Sequence, residues 1–213
     1  MKKGPEYHRS AEKRSFDLSV AIGTLPVASL ITLAMACYLR RDIAPETAIL
    51  RQLRLADDSR SINLFKLRTL TGCDDKPLEL KGAVDPRAGT RANRVRRLGL
   101  DELPELFLVL EGSMSVVGHR PLLPEEHSKY RAADYKLYDD LWLPMARQEK
   151  PGLISASGIY RRKMNTPSDN QRVKSMELDV ASGARASLLT DAYTLATCLR
   201  ELRKATTNSD TEI

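Results

Sequence analysis

The chain has 213 residues and a formal net charge of +6, which is room for one domain with a small appendage. With 42% hydrophobic and 29% charged residues it is close to a globular average, excluding a disordered tail protein, a collagen and a polytopic membrane protein. Three widely spaced cysteines, Cys37, Cys73 and Cys198, have neither a disulfide framework nor metal-ligand spacing, which favours a reducing compartment.

The charges are unevenly spread. Leu18 to Leu39 carries no formal charge; as a helix this run spans about 33 Å, the thickness of a hydrocarbon core. Lys2, Lys3, Arg9, Lys13 and Arg14 precede it and Arg40 and Arg41 follow. It ends in Tyr-Leu-Arg-Arg, a poor cleavage site, so an uncleaved membrane anchor is expected. Basic residues mark the cytoplasmic side of a span, and here they stand on both flanks. Pro26 removes a backbone donor within the run, beside Gly23 and Thr24, whose hydroxyl can satisfy a freed carbonyl. Two topologies follow: a re-entrant helix that breaks at Pro26 and returns to the same face, or an ordinary kinked span.

The remainder reads as one compact domain, mainly α with a small β element. Residues 1–42 form the basic segment and membrane helix, 43–205 the domain and 206–213 a polar tail. Arg51 to Leu70 holds a polar turn and then an alternation from Ser61 to Leu70 that suits a strand. Thr71 to Thr90, with Gly72, Pro77, Gly82, Pro86 and Gly89, is loop-like. Asp101 opens a predicted helix whose buried face is Leu103, Leu106, Phe107 and Leu110, ended by Gly112. Glu125 to Trp142 is a second helical stretch, Pro151-Gly152 breaks the chain, and Ser187 to Arg203 is a terminal amphipathic helix. There is no internal repeat and no glycine-rich nucleotide loop.

Asp101 and Glu102 invite two readings. Acidic residues before an apolar helix cap its amides and favour its dipole. Here, however, Arg87, Arg91, Arg94, Arg96 and Arg97 lie upstream, and Arg120 follows in Gly118-His119-Arg120-Pro121. Guanidinium groups bind phosphate bidentately, and a carboxylate pair among them can hold Mg²⁺ on a phosphate substrate or attack phosphorus. The arginines alone also suit a solvated basic face or anionic lipid headgroups. His119 can contact phosphate or titrate near neutrality, or simply serve as a turn residue. His8 and His127 have no evident partner set, and Cys37 and Cys198 read as small buried hydrophobes.

The segment from Leu100 to Glu126, LDELPELFLVLEGSMSVVGHRPLLPEE, resembles the signature of the bacterial sugar transferases, the monotopic polyprenyl-phosphate phosphoglycosyl transferases. That pattern runs Leu-Asp-Glu-Leu-Pro-Gln, Asn-Val-Leu, Gly-x-Met-Ser and Val-Gly-Pro-Arg-Pro. KRSFD (Lys13 to Asp17), Gln52 and Arg54, Lys66, Arg68 and Thr69, Asp85-Pro86-Arg87, Lys150-Pro151-Gly152 and Leu178-Asp179-Val180 are similar to further family elements in the same order.

The resemblance implies transfer of a phosphosugar from a nucleotide diphosphate sugar to polyprenyl phosphate, with release of nucleoside monophosphate. It implies Asp101 as nucleophile of a covalent phosphosugar intermediate, and Glu102 with Asp101 as the Mg²⁺ carboxylates. Arg96, Arg120, Lys66, Arg68 and Arg87 are the implied phosphate-binding set, and Pro26 the helix break. It places the domain on the cytoplasmic face of a bacterial inner membrane. There it would start exopolysaccharide or glycan assembly beside other glycan-assembly enzymes.

The sequence also departs from the pattern. His119 replaces a proline, Leu108 an asparagine and Ala56 a glycine, and LISASG (Leu153 to Gly158) replaces Ile-Thr-Gly-Trp-Ala-Gln. These changes leave a rival reading, a catalytically weak membrane scaffold. Nucleic-acid binding is disfavoured, because no stacking aromatics accompany the basic stretch.

Overall fold

The computed structural model describes residues 2–43, 47–70, 89–133, 135–161 and 169–209. Helix α1 (Gly4–His8) leads into α2 (Ala11–Ile43), which contains the whole charge-free run. α2 is the one described helix long and apolar enough to cross a membrane, with a mean hydropathy of 2.0 in its richest window. It continues through Pro26, where the family resemblance implies a break. Ala21 and Ala28 are buried on either side of the proline, so packing holds both turns in place despite the lost hydrogen bond. Thr24 Oγ1 donates to the Val20 carbonyl at 2.7 Å, one turn before it.

Both ends of α2 dock on the same domain. Near its start Lys13 is buried, and its Nζ reaches Asp17 (3.1 Å), the Val117 carbonyl (3.0 Å) and Asp191 (2.6 Å). Asp17 in turn accepts from Ser115 Oγ and the Val116 amide. Arg14 donates to the Val109 and Leu110 carbonyls. Lys13 and Arg14 are therefore internal fasteners rather than a free basic flank. At the far end, Leu39 is buried with Ala92 and Val95.

β1 (Ile49–Leu55) and β2 (Ser61–Leu67) form an antiparallel hairpin in which Ile49 faces Leu67 and Leu55 faces Ser61. β1 does not read as a strand in the sequence because its polarity is inverted: Arg54 faces inward while Ile49 and Leu53 are exposed. After α3 (Thr90–Arg97), Gly99 adopts φ +66° and starts a 3-10 helix, Leu100–Glu105, which continues as α4 (Leu106–Glu111). Gly112 ends α4 at φ +102°. The buried face of α4 is Leu106, Leu108 and Val109, and Phe107 is exposed, because the tighter opening turn rotates the register.

β3 (Ser115–Val117) pairs in parallel with β4 (Gly152–Ile154). The crossover between them carries α5 (Pro124–Ala132), a π turn over Tyr138–Trp142 and α6 (Leu143–Ala146). The single helix expected over Glu125 to Trp142 is thus divided, and the division lets Tyr138 stack on Trp142 with centroids 5.4 Å apart. At the crossing a Cβ on Gly152 would lie 2.1 Å from the Gly118 amide nitrogen, so only glycine fits. α7 (Ala156–Arg161), α8 (Asp169–Ala184) and α9 (Leu188–Ser209) complete the chain.

One core lies beneath α2, where Ala21 meets Leu64, Val109, Met114 and Val116. A second, aromatic core gathers Tyr130, Tyr138, Trp142 and Met176. Cys198 is buried as expected, whereas Cys37 is exposed on α2. Cys73 lies outside the described residues.

Candidate active site

The 3-10 helix Leu100–Glu105 lies against β2, and this contact builds the site. Lys66, on β2, reaches Glu102 Oε1 at 3.0 Å and Glu105 Oε1 at 3.2 Å. Asp101, Glu102, Glu105 and Lys66 then face a cavity of about 780 Å³ together with Arg54, Arg96, Arg120 and Arg161. Five cations and three carboxylates thus share one chamber, drawn from elements spread over a hundred residues of chain.

Burial, and then the neighbouring Glu102 charge, raise Asp101 to about 7, against the pull of Lys66 and Arg96. Burial also raises Glu105. Burial alone would lower Lys66, but the charges of Glu102, Glu105 and Asp101 outweigh it and raise its pKa. Burial and the adjacent Arg120 charge lower Arg54 to about 10. Arg54 is held by Gln52 Oε1 at 3.0 and 2.8 Å. Glu126 sits between Arg54 (3.9 Å) and Arg161 (3.8 Å).

The backbone of Arg120 is pinned where its amide donates to Asp179 Oδ2 at 3.2 Å, while its Nε is buried without a hydrogen-bond partner among the described residues. A buried donor left in this way is expensive unless a ligand completes it. Asp179 also accepts from the Ser157 amide and hydroxyl, tying the loop of Arg120 to α7.

Among the described residues no three His, Cys, Asp or Glu side chains form a closed metal cage. Mg²⁺ needs only one or two carboxylates when substrate phosphates supply other oxygens. Asp101 and Glu102, crowded enough to raise one of them to about 7, fit such a donor pair.

The structure thus brings together Asp101, Glu102, Lys66, Arg96 and Arg120. Arg68 is not among the cavity residues, and its Nε donates to the Thr47 carbonyl at 2.9 Å. Arg87 lies outside the described residues. Glu105, Arg54 and Arg161 join the site without having been singled out for it. Glu105 follows Glu102 at helical spacing, and Arg54 belongs to the Gln-x-Arg element, so both left a trace in the sequence; Arg161 left none.

His119 is not a phosphate ligand. It is buried, with Nδ1 2.8 Å from Glu149 Oε1 and Nε2 2.7 Å from the Ala56 carbonyl. His8 also has a partner, since its Nε2 lies 2.8 Å from Glu149 Oε2. His127 Nδ1 bonds the Tyr138 hydroxyl.

The sequence profile described as bacterial sugar transferase matches residues 8–204. The chain belongs to the bacterial sugar transferase family. An undecaprenyl-phosphate glucose phosphotransferase of Komagataeibacter xylinus is 34% identical over 155 residues, 70% of this chain and 27% of that protein. A UDP-glucose:undecaprenyl-phosphate glucose-1-phosphate transferase of Escherichia coli K12 is 30% identical over 169 residues, 79% of this chain and 35% of that protein. The chain therefore spans about a third or less of these two relatives. An exopolysaccharide production protein of Rhizobium leguminosarum is 28% identical over 186 residues, covering 85% of this chain and 84% of that protein.

The departures from the bacterial sugar transferase pattern have structural accounts. Leu108 is buried in the core under α2, and Ala56 offers its carbonyl to His119. Leu153 to Gly158 forms the end of β4 and the first turn of α7, where it lines the chamber with Leu153, Ile154, Ser155 and Gly158.

Proposed function

We propose that the protein is a polyprenyl-phosphate phosphoglycosyl transferase working from the cytoplasmic face of a bacterial inner membrane. The observation that carries this reading is the half-buried Asp101 carboxylate facing Lys66, Arg96 and Arg120 across one chamber. A pyrophosphate repels an attacking carboxylate, and cations fixed around it offset that repulsion without reorganising. Arg96 and Arg120 hold the phosphates of the nucleotide diphosphate sugar. An Asp101 oxygen attacks the phosphorus bearing the sugar, forming an aspartyl–phosphorus bond as the bond to the departing nucleoside monophosphate breaks. A polyprenyl phosphate oxygen then attacks the same phosphorus and frees Asp101. Lys66 keeps Glu102 and Glu105 oriented and balances their charge. Mg²⁺, when held at Asp101 and Glu102, supplies further charge neutralisation on the diphosphate.

Re-entrant placement of α2 belongs to the same proposal. Both its ends pack on the catalytic domain, while Ile22, Val27, Leu30 and Leu33 are at least 60% exposed between them. A helix fastened at both ends to one cytoplasmic domain dips into the near leaflet and leaves neither end outside. The product would be the first lipid-linked sugar of an exopolysaccharide or related glycan.

The test is a screen of nucleotide sugars with polyprenyl phosphate, following Mg²⁺-dependent release of nucleoside monophosphate. Turnover with wild type and none with Asp101→Asn is expected, and wild-type rates in that variant would remove Asp101 as the nucleophile. No specific observation favours the scaffold reading, since the altered loop lines the chamber and His119 is engaged in the core.

A further inference from the structure

The chamber around Asp101 extends well past its charged cluster. Val20, Val27 and Ile31 line it from one stripe of α2, and Leu195, Leu199 and Leu202 line it from one stripe of α9. Yet the two stripes do not cover each other, for Val27 stays 60% exposed and Leu199 58%. Contiguous apolar surface of this kind marks an interaction site. Its inner end is the cluster of Arg96, Arg120 and Lys66, and one wall is the helix whose outer side carries Leu30 and Leu33, both exposed. A single trough therefore joins a cationic pocket to the long apolar helix α2. The ligand that matches it end to end has an anionic phosphate head and a long hydrocarbon tail.

We propose that the trough between α2 and α9 seats the isoprenoid chain of the acceptor lipid, which passes over Gly23 towards the bilayer while its phosphate lies by Arg96 and Arg120. This rests on the reading of the Asp101 chamber as a transferase site for a lipid phosphate. Gly23 lines the trough, and a Cβ added there meets no atom within 4 Å. A bulky side chain at this position fills the trough without displacing the protein's own packing. It is the point at which tail binding can be blocked without touching the charged cluster.

The full chain is reconstituted in phosphatidylcholine–phosphatidylglycerol vesicles for two measurements. In the first, Gly23→Trp and Leu195→Trp are compared with Leu30→Trp, which alters the same apolar surface outside the trough. The KM for polyprenyl phosphate is expected to rise at least tenfold in the two trough variants while the donor KM holds, with Leu30→Trp matching wild type. In the second, which needs no turnover, a photoreactive polyprenyl phosphate is crosslinked and mapped by mass spectrometry. Adducts on α2 and α9 that unlabelled polyprenyl phosphate displaces, and that Gly23→Trp reduces, support the proposal.

Adducts confined to other elements overturn it. So does a photoreactive phosphatidylglycerol that labels the trough and is not displaced by polyprenyl phosphate, since a bilayer acyl chain is then the occupant. Labelling of the trough without turnover of any donor overturns the transferase reading and leaves the trough. Turnover and labelling unchanged by Gly23→Trp overturn the trough alone.

Discussion

Asp101 shows how a site residue is held at a cost to the fold. An unfolded aspartate ionises near its ordinary value of 3.8, but in the chamber burial and Glu102 lift Asp101 to about 7. A carboxyl raised in the folded state stabilises the protein most below its unfolded pKa, and that contribution is lost as pH rises through about 7. Asp101→Asn should therefore abolish nucleoside monophosphate release and yet raise the melting temperature at pH 8, as measured by thermal unfolding in detergent. A variant that is both inactive and less stable would contradict the strained-carboxylate account. Glu149 has the opposite sign. Burial would raise it, but the hydrogen bond with His119 and the neighbouring His8 outweigh burial and hold it at about 2, below the ordinary glutamate value of 4.5. Its contribution, about 3 kcal/mol at roughly 1.4 kcal/mol per pKa unit, is present above pH 4.5 and is lost as pH falls towards 2. Glu149→Gln should destabilise the protein by a few kcal/mol at pH 7 in chemical denaturation, with the difference shrinking below pH 4.

At the scale of elements, packing contacts decide what local patterns leave open. The parallel pairing of β3 with β4 requires two glycine backbones to cross, and a Cβ on Gly152 would fall 2.1 Å from the Gly118 amide nitrogen. Gly152→Ala should cost about 3 kcal/mol or more and disturb the neighbouring loop of Arg120, lowering both melting temperature and turnover. Gly23→Ala, placed in open space, should leave the melting temperature within a degree or two. The Lys13 fastening of α2 to β3 and α9 allows a sharper check. Lys13→Met leaves Asp17 and Asp191 buried without their cation, a loss of about 3–5 kcal/mol for a broken buried pair. Denaturation midpoints of the variant and wild type measure it directly. The sequence announces α9 and β2 by their periodicity. It conceals β1, whose inward residues are the polar pair serving the site, and it hides the division of the crossover helix by the π turn.

The whole molecule is organised around α2. Its length and composition suit a membrane, and both its ends pack on the same domain, the double attachment from which the re-entrant placement is proposed. Single cysteines at Arg9 and Thr47, in a background with the native cysteines replaced by serine, should react with an impermeant maleimide from the same side of oriented vesicles. Reaction from opposite sides would mean a spanning helix and would overturn the re-entrant placement.

The sequence by itself determined the apolar run, the Asp101-Glu102 pair, the arginine-rich approach to it and the family resemblance, because each is written in contiguous residues. Only the tertiary structure decided that Lys66, Arg54 and Arg161 meet across one chamber, that Arg68 is absent from it, and that His119 is engaged in the core with Glu149. It also decided that α2 continues through Pro26, since packing of Ala21 and Ala28 outweighs the single hydrogen bond the proline removes. These outcomes depend on contacts between residues tens of positions apart, such as Lys66 with Glu102 and His119 with Glu149, which no local pattern of charge or hydropathy encodes.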